Sequence, residues 1–189
     1  MTFTERLNGI LPKLTSNDFL ESKGLGNEIA FYIFDYPPEE ELKMREHIDF
    51  VHEQIPTRKP ELRVKHINLL SLILGYLEKK NKLTKSFEIQ KEEGDAALFE
   101  KLKGLLNEDN IKEVFREASR PEEHDLVTVS GVGSVWPLLR SHTLLTNQHP
   151  VMGDTPLVMF FPGRYDGRML RLFGKLQDDN YYRAFKLVP

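Results

Sequence analysis

Ile29-Ala30-Phe31-Tyr32-Ile33-Phe34, stopped by Asp35-Tyr36-Pro37-Pro38, is the stretch on which the fold turns. Six consecutive apolar residues, rich in rings and branched side chains, predict a strand. A strand apolar on both faces needs cover on both sides, which is the condition of a buried, mostly parallel sheet. The prolines end that strand and suit the first turn of a helix, where no amide donor is lost. The spacing predicts the helix over residues 39–55, with Leu42, Ile48, Val51 and Ile55 inward and Glu39-Glu40-Glu41 at the positive end of its dipole.

Upstream, residues 1–20 read as one or two short helices before Gly24 and Gly26. Downstream, residues 63–69 form the next strand and 70–80 the next helix, so that strand, helix, strand and helix argue a right-handed βαβ unit with parallel strands. Residues 81–119 are polar and helical, with Leu98, Leu102, Leu105, Leu106, Ile111, Val114 and Phe115 as the apolar stripe and a break at Gly94. A strand over 126–130 runs through Gly131-Val132-Gly133-Ser134 into a helix expected over 135–147. Leu157-Val158-Met159-Phe160-Phe161 is another buried strand, with Pro162-Gly163 as its stop. In the tail, residues 170–174 and 182–188 alternate with period two around Asp178-Asp179-Asn180, which predicts an antiparallel hairpin at a sheet edge. The expected architecture is a single α/β domain over 1–189, with three layers and a mixed, mostly parallel sheet.

Composition bounds the function. A chain of 189 residues that is 40% hydrophobic and 29% charged has enough apolar surface for one core and too much for disorder. The absence of cysteine excludes a disulfide scaffold, a thiolate zinc site and a cysteine nucleophile. Residues 1–9 do not read as a secretory signal, and the longest apolar stretch is far below the ~20 residues of a membrane span. A cytoplasmic protein is expected. Net charge is −3 but unevenly spread. From Leu126 onward seven basic residues stand against four acidic ones, a net of +3, so the first 125 residues carry −6.

Several places bear on chemistry. Gly131, Gly133 and Ser134 lie where a strand opens into a helix, a position at which backbone amides can hold an anion. The loop lacks the Lys-Ser/Thr of a phosphate-binding loop and the third glycine of a dinucleotide site. Ser134 has no glycine two residues on, so it is not a nucleophile elbow. The six histidines show no metal-ligand spacing and read as surface or capping groups. Asp35, following a buried strand, sits where α/β sites gather, with turn or cap duty as its plainer role. Arg164, between Pro162-Gly163 and Tyr165-Asp166-Gly167, suits a carboxylate or phosphate, or an ion pair that locks the turn. No cofactor is implied.

The ordered set Gly131–His142 (GVGSVWPLLRSH), Pro156–Gly163 (PLVMFFPG), Tyr165-Asp166-Gly167, Leu170–Gly174 (LRLFG) and Asp178–Phe185 (DDNYYRAF) resembles the BrxB family, small components of bacterial BREX phage-defence systems. The resemblance extends over nearly the whole chain. It implies a role in host defence without a reaction of its own, since methyltransferase, ATPase and alkaline-phosphatase-like chains are separate in such systems. The implied role is a non-catalytic adaptor, with the alkaline-phosphatase-like component PglZ as its expected partner. Trp136, Arg164, Tyr165, Tyr181, Tyr182 and Arg183 are the candidate contacts, being of the types that dominate interface hot spots. A nucleotide- or nucleic-acid-binding module is the alternative, motivated by the glycine loop and the basic tail. An enzyme using Asp35, Ser134 and Arg164 in one cleft is a third reading.

Overall fold

The computed structural model describes residues 1–21, 30–140, 151–177 and 184–189. Its α-helices include α1 (Phe3–Thr15), α2 (Asn17–Glu21), α3 (Glu41–Arg58), α4 (Leu69–Lys79), α5 (Leu83–Glu93), α6 (Asp95–Leu105), α7 (Glu108–Ser119) and the single turn α8 (Val132–Val135). The strands are β1 (Phe31–Tyr36), β2 (Val64–Asn68), β3 (Leu126–Ser130), β4 (Leu157–Tyr165), β5 (Leu170–Leu172), β6 (Leu176–Gln177) and β7 (Phe185–Lys186).

The sheet runs β2-β3-β4-β1-β7, all parallel, and β5 and β6 extend it as an antiparallel ribbon from the end of β4. The expected α/β class holds. β1 and β2 are parallel but not neighbours, because β3 and β4 lie between them. The chain crosses to the far edge through α3 on one face and returns through α4 to α8 on the other. Opposite faces for opposite directions of travel are what right-handed crossovers require.

Side-chain alternation divides the core in two. Leu157, Met159 and Phe161 of β4 face α4, α7 and α8, while Val158 and Phe160 face α1 and α3. β1 does the same, with Ile33 on one side and Phe34 and Tyr36 on the other. Phe34 and Phe160 meet edge to face across their strands, centroids 6.3 Å apart.

Several boundaries depart from expectation for local reasons. In α3 the inward stripe is Met44, Ile48, Val51 and Ile55, and Leu42, out of phase with it, is 72% exposed. The helix expected over 135–147 begins at Val132 and ends at Val135. Trp136 is extended, as a residue preceding proline prefers to be; residues 141–147 of that expectation lie outside the described ones. β4 does not stop at Pro162-Gly163 but continues to Tyr165. Its pairing with β3 is over by Met159, and Pro162, though it has no donor to give, accepts from the Phe173 amide at 2.9 Å. In the tail, β5 pairs with β6 through Phe173-Gly174-Lys175, and β7, from the described part of the expected second arm, joins β1 in parallel instead. Phe173 and Gly174, both at positive φ, let the chain reverse there. The predicted turn at 178–180 lies outside the described residues.

Candidate functional site

The carboxyl ends of β2, β3, β4 and β1 form the edge where a site is expected in an open parallel sheet. Asn68, Ser130 and Asp35 there are each committed to another part of the protein. Asn68, the last residue of β2, caps α4 by accepting from the Ser71 amide at 3.1 Å, and its side-chain amide donates to Ser130 Oγ at 3.3 Å. Gly131 follows with φ +79°, and a Cβ there would stand 3.1 Å from Asn68 Oδ1. At Gly133 a Cβ would stand 2.9 Å from the Phe173 ring and 3.1 Å from Pro162. The two glycines of the sequence motif thus admit protein neighbours, Asn68 and Phe173, and the helix they introduce has only four residues. Ser134 is exposed, and its hydroxyl has no hydrogen-bond partner among the described residues.

Asp35, at the end of β1, is buried and doubly held. Arg6 Nη2 donates to Oδ1 at 2.7 Å, and the Tyr165 amide donates to Oδ2 at 3.0 Å. The same guanidinium donates to the Asp35 carbonyl and to the Val188 carbonyl, and lies 4.8 Å over the Phe34 ring. Its plainer role as a structural carboxylate is the one its bonds describe. Tyr165 is fully buried and donates its hydroxyl to the Ala184 carbonyl at 2.8 Å. That removes its side chain from the surface contacts expected of it, because the alternation of β4 turns it inward. Arg164, its neighbour, turns outward and is exposed, as is Trp136. Tyr181, Tyr182 and Arg183 lie outside the described residues.

Sequence reading passed over a polar seam on the α3 face of the sheet. His52 Nε2 lies 3.0 Å from Thr128 Oγ1, Thr128 Oγ1 lies 2.9 Å from His66 Nδ1, and His66 Nε2 lies 3.1 Å from Ser130 Oγ. Thr128 is fully buried and both imidazoles are partly so, which corrects their reading as surface or capping groups. The alternation 64, 66, 68 on β2 and 126, 128, 130 on β3 would have put these residues on one face. The missing signal was the pairing of β2 with β3. Burial holds His66 down to about 4, with His52 beside it adding to the effect, and burial likewise lowers His52 against the pull of Asp49.

The family model of BrxB, described as BREX protein BrxB, matches residues 65–187. Two relatives carry the same description. One, from Bacillus cereus (strain H3081.97), is 46% identical over 97% of this chain and 96% of its own length. Another, from Escherichia coli O9:H4 (strain HS), is 34% identical over 97% of this chain and 90% of its own. The chain belongs to the BrxB family. No solved structure matches it. Within the region matched by the BrxB family model lie His66, Thr128 and Ser130 of the seam, the Trp136 turn and the β4–β5 ribbon, whereas Arg6, β1 and His52 lie outside it. No helix among the described residues is long and apolar enough to cross a membrane.

Proposed function

We propose that this protein is a non-catalytic component of a BREX anti-phage defence system, acting as an adaptor that docks on another protein of that system. Membership of the BrxB family across nearly the whole chain carries this reading. The state of the sheet edge agrees with it: Asp35, Asn68 and Ser130 are bonded into the fold, where a reaction would need groups free to meet a substrate. The partner the resemblance implies is the alkaline-phosphatase-like PglZ. A docking face that includes Trp136 and Arg164 offers an indole 43% exposed and an exposed guanidinium, both of hot-spot type.

Size-exclusion chromatography with light scattering, on the protein mixed with PglZ from the same system, tests the reading. A single stoichiometric peak is the expected result. Two unshifted peaks at micromolar concentrations would remove PglZ as the partner, and the same result with every other component of the system would remove the adaptor reading itself.

A further inference from the structure

We infer that the β4–β5 ribbon is a binding track for the phosphodiester backbone of single-stranded nucleic acid, with Trp136 as a stacking platform at one end. Arg164 of β4 and Arg171 of β5 are directly opposite one another in the antiparallel register, and both are exposed. Like charges placed across a ladder oppose the pairing that carries them, so two guanidinium groups there are arranged for an anion outside the fold. Arg168, in the turn joining β4 to β5, and Lys175, in the turn joining β5 to β6, extend the positive charge to both ends of β5. None of the four cations has a carboxylate within 4 Å among the described residues. The acidic residue inside the ribbon, Asp166, is held by the turn, where Oδ1 accepts from the amides of Arg168 and Met169 at 2.9 and 2.8 Å, and its charge offsets part of that of Arg171 and Arg168 without an ion pair, leaving the ribbon net positive.

The aromatic part is adjacent. Trp136 stands edge-on against Phe173, centroids 6.4 Å apart, and Phe173 belongs to the same turn as Lys175. Gly133 has no side chain because the Phe173 ring occupies that space, so the contact that seats the indole is built into the backbone. A row of cations about 10 Å and more in length, at ~3.4 Å per residue of β5 and its turns, fits a linear polyanion better than a compact one. An indole at its end offers a face to a base whatever its identity. The first 125 residues, at −6, would turn this end of the molecule toward such a ligand.

The test is fluorescence anisotropy of a labelled 20-nucleotide DNA strand, run beside the matched duplex and an Asp/Glu-rich peptide of equal charge. Tryptophan emission is followed in the same titration, since Trp136 is the only tryptophan in the chain. Single-strand binding is expected, with quenching of Trp136 and an affinity that falls between 50 and 200 mM salt at a log–log slope of roughly −2 to −3, from three to four phosphates at about 0.7 each. Arg164→Gln/Arg171→Gln should weaken binding about tenfold or more and flatten the slope by roughly 1.4, with a melting temperature no lower than that of the wild type. Trp136→Ala should weaken it several-fold while leaving the slope in place. Lys112→Glu, on the exposed side of α7, should change nothing. No binding by the wild type, binding indifferent to the Arg164/Arg171 pair, or preference for the acidic peptide would overturn the inference, the last by making the ribbon a site for an acidic protein. None of these outcomes bears on whether the protein also forms a complex with PglZ.

Discussion

The histidine seam shows how single residues acquire definite roles from hydrogen-bond arithmetic. Asn68 Oδ1 accepts from Ser71, so its amide nitrogen must be the donor to Ser130. Ser130 then donates to His66 Nε2, His66 Nδ1–H donates to Thr128, and Thr128 donates to His52 Nε2. The reverse order would leave the Ser130 proton without an acceptor among these groups, a cost the buried site avoids. Nitrogen-15 spectra should therefore show both His52 and His66 as the Nδ1–H tautomer, and Nε2–H at His66 would refute the directed chain. The same residues set a pH dependence. The folded pKa of His66 is depressed to about 4 against an ordinary 6.5, so the unfolded chain binds more protons between those values and stability rises with pH there. What burial of the neutral ring permits is fully present above pH ~6.5 and is lost as pH falls toward 4, on the order of 3 kcal/mol. Urea unfolding at pH 7.5 and 4.5 measures it. His66→Gln, unable to charge, should flatten most of that difference, and an undiminished difference would assign the acid sensitivity elsewhere.

At the scale of elements, β4 and β5 are held together by a close approach that only glycine permits. A Cβ at Gly163 would fall 2.2 Å from the Arg171 carbonyl oxygen, which is backbone and has nowhere to go. Gly163→Ala should pry the ribbon from the end of β4 and cost about 2–3 kcal/mol or more, measured by thermal unfolding. Gly75 of α4 is the opposite case. It is exposed in a helix interior with nothing within 4 Å of its would-be Cβ, so Gly75→Ala should stabilise by about 0.5–1 kcal/mol. Destabilisation at Gly75, or tolerance at Gly163, would contradict these packings. The same two scales explain what could be read from sequence. The buried strands were legible because apolarity on both faces is written into Phe31–Phe34 and Leu157–Phe161, and the break at Gly94 because glycine ended the helical pattern. The end of β4 was not. Proline forbids a strand only where its amide is needed, and whether β3 still runs alongside is a fact of topology. Tyr165 was misplaced for the same reason: alternation across a Pro-Gly pair shows only once the strand is known to continue. The glycine motif was found correctly as a strand-to-helix turn, but the residues that require it, Asn68 and Phe173, are about 60 and 40 positions away.

For the molecule as a whole, the two ends of the chain close on the β1 side of the sheet. α1 lies beside α3, β7 is the edge strand next to β1, and Val188 packs against Gly9 of α1. Arg6 ties these parts together, donating at once to the Asp35 carboxylate, the Asp35 carbonyl and the Val188 carbonyl. Arg6 and Asp35 are largely out of water, with side chains 17% and 9% exposed, so deleting one partner leaves a buried charge as well as three lost acceptor contacts. Arg6→Ala should cost about 3 kcal/mol or more. Arg6→Lys, which keeps the charge but loses the planar fork, should recover only part of it. The distribution of the damage is the sharper test. Amide hydrogen exchange of α1 and β7 should quicken together in Arg6→Ala, because one side chain joins them to β1, while β2 and β3 at the far side of the sheet keep their protection. Uniform acceleration across all strands would mean that Arg6 contributes only to global stability. Acceleration confined to α1 would mean that β7 is held by its own pairing to Tyr32 and Ile33, and that the two chain ends are fastened independently.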